Sequence, residues 1–186
     1  MILGKTFSNG SKTLFTQSEI EQRVNELALQ ITIDYREANL LVVGILKGAF
    51  MFFADLIRKI NLDLTVDFIA AQSYIKDASS GQVKLLYDPL NDLIGKDVLI
   101  VDDIIDTGLT MNKTIELVKK KSPRSLKICA LLDKSERRTA DVTIDYIGFK
   151  IPNRFIVGYG LDYEGRYRNL PDIKVLEDSS KKEDNV

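Results

Sequence analysis

The stretch Asp97 to Thr110, DVLIVDDIIDTGLT, constrains the rest of the chain more than any other. Val98 to Val101 is apolar and rich in β-branched residues, which predicts a strand buried on both faces, as in a parallel sheet. Asp102 and Asp103 stand where that strand is expected to end. Ile104 and Ile105 extend the apolar signal, and Asp106-Thr107-Gly108-Leu109-Thr110 follows as a tight polar loop. From Leu109 to Lys121 the spacing of Met111, Ile115 and Val118 predicts a helix. A strand, a glycine-containing loop and a helix N-terminus make an anion site. The first backbone N–H groups of a helix lack intrahelical partners, and the helix dipole favours negative charge there. Thr107 and Thr110 add hydroxyl donors, and Gly108 lets the backbone approach a ligand closely.

Three aspartates beside a phosphate cradle pose a contradiction, because carboxylates repel phosphate unless a cation or a sugar hydroxyl stands between. A sugar phosphate resolves it. Its phosphate would sit in the loop, its ribose hydroxyls on the acids, and Mg²⁺ nearby.

VLIVDDIIDTGLT resembles the signature of the type I phosphoribosyltransferases, which bind 5-phosphoribosyl-1-diphosphate. Apolar residues, two acids, two apolar residues and D-T-G-x-T form a long pattern, and its strand–loop–helix context supports each element. The purine-salvage branch usually carries Glu then Asp at the acidic pair, where this chain has Asp102-Asp103. Aspartate reaches one methylene less far, which bears on any contact Asp102 makes with ribose or metal.

The resemblance extends over roughly residues 5–176 and gives further segments a meaning. Leu40 to Leu46, LLVVGIL, is a second buried-strand candidate, followed by Lys47-Gly48 and a helix over 49–60 with Phe50, Phe53, Ala54 and Ile57 on one face. Loops at strand carboxyl ends are where open α/β sheets place ligands. In the family Leu46-Lys47-Gly48 would form the diphosphate loop, and the family often holds that Leu–Lys bond cis. The segment 72–84, QSYIKDASSGQVK, is a long polar loop; Ser73 and Tyr74 match the family's Ser-Tyr pair in a loop that closes over the site. Strands are expected over 64–70, 83–87, 126–132 and 143–149. Asp133-Lys134 follows the third of these, and the resemblance makes Lys134 the donor to the 6-oxygen of a purine. SERRTA, 135–140, reads as a charged loop. Phe155-Ile156-Val157-Gly158-Tyr159-Gly160-Leu161-Asp162 matches the last family segment. It implies base stacking by Phe155, base contact by the Ile156 backbone, and Mg²⁺ or its waters near Asp162. Arg168 stands where the family has a diphosphate-binding arginine. The resemblance therefore implies substrate contacts along Asp102, Asp103 and the run Ile105, Asp106, Thr107, Gly108, Leu109 and Thr110. It implies Asp106 as general base, and Mg²⁺ at Asp102, Asp103 and Asp162.

Composition narrows the chemistry further. The chain has no histidine, so acid–base work falls to Asp, Glu, Lys or Tyr, and His-ligated metals are excluded. The single cysteine, Cys129, forbids an intramolecular disulfide and lies in an apolar run that predicts a packed thiol. A net charge of −1 gives no support to nucleic acid as a partner. No apolar run reaches the roughly 18 residues of a membrane span, and no signal peptide is apparent, so a cytoplasmic protein is expected. Thr16-Gln17-Ser18-Glu19 predicts a capping box before an amphipathic helix carrying Ile20, Val24, Leu27 and Ile31.

Strands alternating with helices predict a single α/β domain over 1–186 with a mostly parallel sheet flanked by helices. The resemblance adds a small hood from the N-terminal segment and about 150–176. Residues 178–186, polar throughout, are expected to be a frayed tail. The activity implied is transfer of phosphoribose to N9 of hypoxanthine or guanine, with Mg²⁺, in a homodimer or homotetramer. Three other readings stay open. They are a transferase for another base such as xanthine, a nucleotide-sensing regulator on the same fold, and a signalling receiver domain, whose opening strand VLIVDD also resembles. The receiver leaves D-T-G-L-T unexplained, and too few residues follow Asp102 for a domain of about 100–150 residues.

Overall fold

Runs of β-branched and apolar residues with no polar face can only be satisfied in the interior strands of a sheet covered on both sides. The computed structural model of the chain describes residues 11–73, 83–87 and 93–176. Its elements are β1 (Ser11–Phe15), α1 (Gln17–Asp34), β2 (Leu40–Leu46), α2 (Phe50–Ile57), β3 (Thr65–Ser73), β4 (Val83–Tyr87), β5 (Asp97–Ile105), α3 (Leu109–Lys119), β6 (Ser125–Asp133), β7 (Tyr146–Lys150), β8 (Ile156–Val157) and β9 (Ile173–Leu176). The main sheet runs β4-β3-β2-β5-β6-β7. Five of its strands are parallel, and β4 closes one edge antiparallel to β3.

Alternate residues of the inner strands feed two apolar layers. Val42, Leu99, Val101 and Leu131 face α1 and α2, packing on Ile20, Val24, Leu27, Ile31, Phe52 and Leu56. Leu41, Val43, Val98, Ile100 and Ile128 face α3, packing on Met111 and Val118. Each such side chain contributes roughly 1.5–3 kcal/mol on burial. Truncating the fully buried Phe52 to alanine would cost about 3–5 kcal/mol. Cys129 is buried in the first layer, as expected, and its burial holds the thiol far above its ordinary pKa. The capping box at α1 is formed in full, with the Glu19 N–H donating to Thr16 Oγ1 and the Thr16 N–H donating to Glu19 Oε2 at 2.8 Å.

Several boundaries differ from those the sequence predicts. Strand β5 does not end at Val101 but runs on to Ile105, because its ladder with β6 continues through Asp102–Ala130, Ile104–Leu132 and Ile105–Asp133. The two acids therefore lie inside a strand. Helix α2 buries Phe52, Phe53 and Leu56 and leaves Phe50 exposed, a face turned from the expected one. FMFFADLI is apolar nearly all round, so its periodicity does not fix which face turns inward. Strand β7 starts at Tyr146 rather than Thr143, since the Asp145 carboxylate accepts the Ile128 N–H at 2.8 Å and ends the ladder there.

A second, three-stranded sheet, β1-β9-β8, was not expected as strands at its β1 and β8 members. In it Ser11–Phe15 pairs antiparallel with Ile173–Leu176. This sheet brings residues 156–168 over the carboxyl ends of β2, β5 and β6. Those ends carry Lys47, Asp106 and Lys134, which is why the site forms there.

Candidate active site

One cavity of about 670 Å³ opens at the carboxyl ends of the parallel strands. Its walls include Leu46, Lys47 and Gly48 from the β2–α2 turn, and Asp102, Asp103, Asp106 and Thr110 from β5 and the following loop. Lys134, Phe155, Ile156, Asp162 and Arg168 also line it. Residues expected from four separated sequence segments thus meet in one place. Ile105, Thr107 and Gly108 lie beside it around a smaller adjoining hollow of about 100 Å³, shared with Asp106 and Thr110. Leu109 opens α3 and is largely exposed. The expected 72–84 loop is shorter than predicted, since β3 runs on to Ser73 and β4 begins at Val83; 74–82, Tyr74 included, lie outside the described residues, as does the expected tail 178–186. A second cavity of about 550 Å³, between α1, α2 and the turn at Tyr159, holds none of the expected residues.

The loop after β5 is shaped for an anion. Gly108 is the N-cap of α3 with φ +83, a conformation that side-chain-bearing residues rarely adopt. A Cβ at Gly108 would lie 2.8 Å from Arg138 Cδ. Thr107 Oγ1 accepts the Leu109 N–H at 3.4 Å, a weak local cap.

The β2–α2 side of the cavity is built on close backbone packing. The Leu46–Lys47 peptide bond is cis. A Cβ at Gly48 would meet the Asp103 carboxylate at 1.9 Å, and one at Gly160 would meet the Gly48 carbonyl oxygen at 2.2 Å. The turn at Gly160 and the Lys47-Gly48 loop are thus in direct contact. Arg168 Nη1 donates to Gly160 O at 2.6 Å, and its Nη2 pairs with Asp162 Oδ1 at 2.5 Å. Asp162 Oδ2 accepts the Gly165 N–H at 2.7 Å.

Asp102 and Asp103 are buried side by side. Burial raises the Asp102 carboxyl well above the usual range, and the charge of Asp103 adds to the shift. Burial raises Asp103 as well, opposed by hydrogen bonding from Asp102 and the Ile104 N–H and by Arg168. Asp102 Oδ1 accepts the Asp103 N–H at 3.0 Å, so the short side chain folds back on its own strand.

At the β6 end of the cavity, Asp106 Oδ2 accepts from Arg137 Nη1 at 3.0 Å, with Lys134 Nζ at 3.9 Å. Lys134 is buried, whereas Phe155 is 52% exposed and meets Tyr163 edge-on at 5.4 Å between centroids. An exposed aromatic at a cavity wall is free to stack on a flat ligand. Sequence reasoning passed over three residues here: Arg137 and Arg154, which line the cavity, and Arg138 behind it. SERRTA gives no periodic signal, and only its place after Lys134 hints at the site.

A parallel sheet with a glycine turn and helix start after its central strand, paired buried acids and a facing lysine defines a type I phosphoribosyltransferase. Comparison with known proteins agrees. The model of the phosphoribosyl transferase domain family matches residues 10–164. The chain is 46% identical to the hypoxanthine-guanine phosphoribosyltransferase of Bacillus subtilis, over 89% of this chain and 92% of that one. It is 47% identical to the hypoxanthine phosphoribosyltransferase of Escherichia coli, over 87% and 93%. A crystal structure of a hypoxanthine-guanine phosphoribosyltransferase from Bacillus anthracis superposes with a TM-score of 0.86 at 46% identity, covering 91% of this chain and all of that one. The chain belongs to the phosphoribosyltransferase family, and within it to the hypoxanthine-guanine phosphoribosyltransferases.

Proposed function

We propose that the chain transfers 5-phosphoribose from phosphoribosyl diphosphate to N9 of hypoxanthine or guanine, giving IMP or GMP and diphosphate, a purine-salvage reaction. The observation that carries this is the meeting in one cavity of a phosphate loop, a diphosphate-type loop and a lysine–aspartate pair. The relatives' activity supports it, and a receiver domain leaves the Asp106 to Thr110 loop unexplained.

The roles follow from position. The loop Asp106 to Thr110 holds the 5′-phosphate on its backbone N–H groups and threonine hydroxyls. Lys47, the Gly48 backbone and Arg168 hold the leaving diphosphate, stabilising charge as the C1–O bond loosens and the ribose becomes oxocarbenium-like. The small sheet acts as a hood over the base, with Phe155 stacked on it and the Ile156 backbone at its edge. Lys134 donates to the 6-oxygen, and Asp106 takes the N7 proton as N9 bonds to ribose.

Mg²⁺ fits the donor set in a limited way. Asp102 and Asp103 offer hard oxygen ligands whose mutual repulsion a cation relieves, while Asp162 is already held by Arg168 and Gly165. Among the described residues no three such groups form a protein-only metal site. Asp102 and Asp103 would hold the ion from one side and Asp162 through water, with substrate oxygens completing it. When bound, Mg²⁺ neutralises charge on the diphosphate.

No helix among the described residues is long and apolar enough to cross a membrane. A cytoplasmic location and a homodimer or homotetramer go with the same reading, the assembly resting on the family resemblance. The test is incubation with phosphoribosyl diphosphate, Mg²⁺ and each of hypoxanthine, guanine, xanthine, adenine and uracil, with and without EDTA. IMP and GMP formation lost in EDTA and restored by Mg²⁺ is expected; no nucleotide from either base would overturn the proposal.

A further inference from the structure

We infer that Arg138 is a positioning residue that fixes the phosphate loop against the base-reading end of β6. Through it the 5′-phosphate, Asp106 and Lys134 address one substrate. This rests on the function proposed above but assigns a role to a residue outside the cavity wall.

The geometry is that of a clamp. The Arg138 side chain is mostly buried behind the loop. Its Nε donates to Asp106 O at 3.0 Å, and its Nη2 donates to Ile105 O at 3.1 Å and to Asp133 Oδ1 at 2.6 Å. Its Nη1 donates to Val142 O at 3.3 Å. The two residues that follow extend the clamp, with the Thr139 and Ala140 N–H groups donating to Thr107 O at 2.9 and 3.0 Å. Three consecutive carbonyls, 105 to 107, are thereby drawn to one side of the loop.

Planarity turns that into a statement about the ligand. In a trans peptide unit the C=O of one residue and the N–H of the next point in opposite directions. Holding carbonyls 105, 106 and 107 towards the Arg138–Ala140 segment therefore turns the N–H groups of Asp106, Thr107 and Gly108 away from it. Those are the groups an anion at the start of α3 would use. Gly108 lies directly against the arginine stem, which leaves no room there for a Cβ.

The same guanidinium reaches the other subsite. Asp133 is buried at the end of β6, next to Lys134, and the Lys134 N–H donates to Ile105 O at 3.1 Å. Arg138 thus ties the end of β5 to the end of β6 through one planar group. Lysine could pair with Asp133 but could not span that many acceptors, because its donors radiate from a single atom. The diphosphate side stands on different parts, Gly48 against Asp103 and Gly160 against Arg168. Loss of the clamp should divide the subsites.

The test uses the full-length protein with Arg138→Lys and Arg138→Ala. Calorimetry would measure binding of ribose 5-phosphate, which probes the phosphate loop, and of Mg²⁺-diphosphate, which probes the other side. Both variants should weaken ribose 5-phosphate by roughly tenfold or more, the scale of a lost charge-assisted hydrogen bond. Diphosphate binding should stay near wild type, and KM for phosphoribosyl diphosphate should rise. Guanidinium ion, below denaturing concentration, should restore ribose 5-phosphate binding to Arg138→Ala but not to Arg138→Lys. If Arg138→Ala fails to fold, Arg138→Lys alone carries the comparison. Equal weakening of both ligands would mark a general structural role and overturn the inference, as would wild-type affinity in Arg138→Lys. Failure of the wild-type protein to bind ribose 5-phosphate would instead overturn the functional reading.

Discussion

Arg137 Nη1 donates to Asp106 Oδ2 at 3.0 Å, and Asp106 Oδ1 is left buried with no hydrogen-bond partner. A buried acceptor without a donor costs about 1–3 kcal/mol. The pairing of one oxygen and the burial of the other give the carboxylate a fixed orientation at the wall of the cavity, with Oδ2 beside Arg137 and Lys134.

The first prediction follows. Asp106→Asn keeps the size of the side chain and can keep an acceptor towards Arg137, but it cannot take a proton. We expect kcat to fall by roughly 10²–10⁴-fold, the usual range for a general base, with KM for phosphoribosyl diphosphate little changed. Steady-state kinetics with hypoxanthine would check it. A near-normal kcat with a large rise in KM would make Asp106 a structural part of the phosphate loop.

The second concerns the choice of base. Lys134 is buried, with its ammonium 3.9 Å from Asp106 Oδ2. An ammonium only donates, so a 6-oxo group suits it and a 6-amino group faces it donor to donor. Unpaired buried groups of this kind can discriminate by about 10⁴-fold. We expect hypoxanthine and guanine to be used and adenine refused, measured as kcat/KM for each base. Comparable turnover of adenine would remove Lys134 from this role.

Much of this was legible in the sequence, and the exceptions have physical causes. Buried strands and the D-T-G-L-T loop announce themselves because a strand apolar on both faces and a glycine at a helix start leave few alternatives. The sequence places the end of β5 early because two aspartates look like a stop signal, whereas the β6 ladder continues past them. Strand β1 is short and polar, and only its pairing with β9, about 160 residues away, makes it a strand. Arg138 was invisible for the same kind of reason. Its partners are carbonyls of another segment, and backbone atoms carry no residue-type signature.

The third prediction concerns the Lys47-Gly48 loop. Gly160 has φ +100, and a Cβ there would lie 2.2 Å from the Gly48 carbonyl oxygen. Backbone cannot yield as a flexible side chain can, so Gly160→Ala must push the Gly160 turn and the Lys47-Gly48 loop apart. Left-handed backbone adds a strain of about 1–3 kcal/mol. Melting temperature should drop, and KM for phosphoribosyl diphosphate should rise while affinity for the base is nearly kept. An unchanged KM would show that the loop's contact with the Gly160 turn does not matter for the diphosphate.

The last prediction turns on the buried pair at 102 and 103. Burial first, and the neighbouring charge second, raise the Asp102 carboxyl well above its ordinary range. An acid whose folded pKa exceeds its unfolded value weakens the fold as pH rises. Below about pH 4 both states keep the proton and nothing is lost. Above that the unfolded chain ionises freely while the folded chain resists, and the penalty grows until the folded group ionises too. Asp102→Asn removes the titration but keeps an oxygen to accept the Asp103 N–H. Without Mg²⁺ or substrate, the variant should therefore melt higher than wild type at pH 8. That advantage should shrink as pH is lowered towards 4. Its activity should fall, because the removed charge is one that ribose or Mg²⁺ would use. Comparing the two proteins cancels the other carboxylates, such as Asp97 beside Arg124, whose lowered pKa values act with the opposite sign. Thermal melts of both proteins across that range would decide it. A difference independent of pH, or a variant less stable than wild type at pH 8, would show that the pair is relieved within the free protein. The site would then hold no repulsion for a cation to remove.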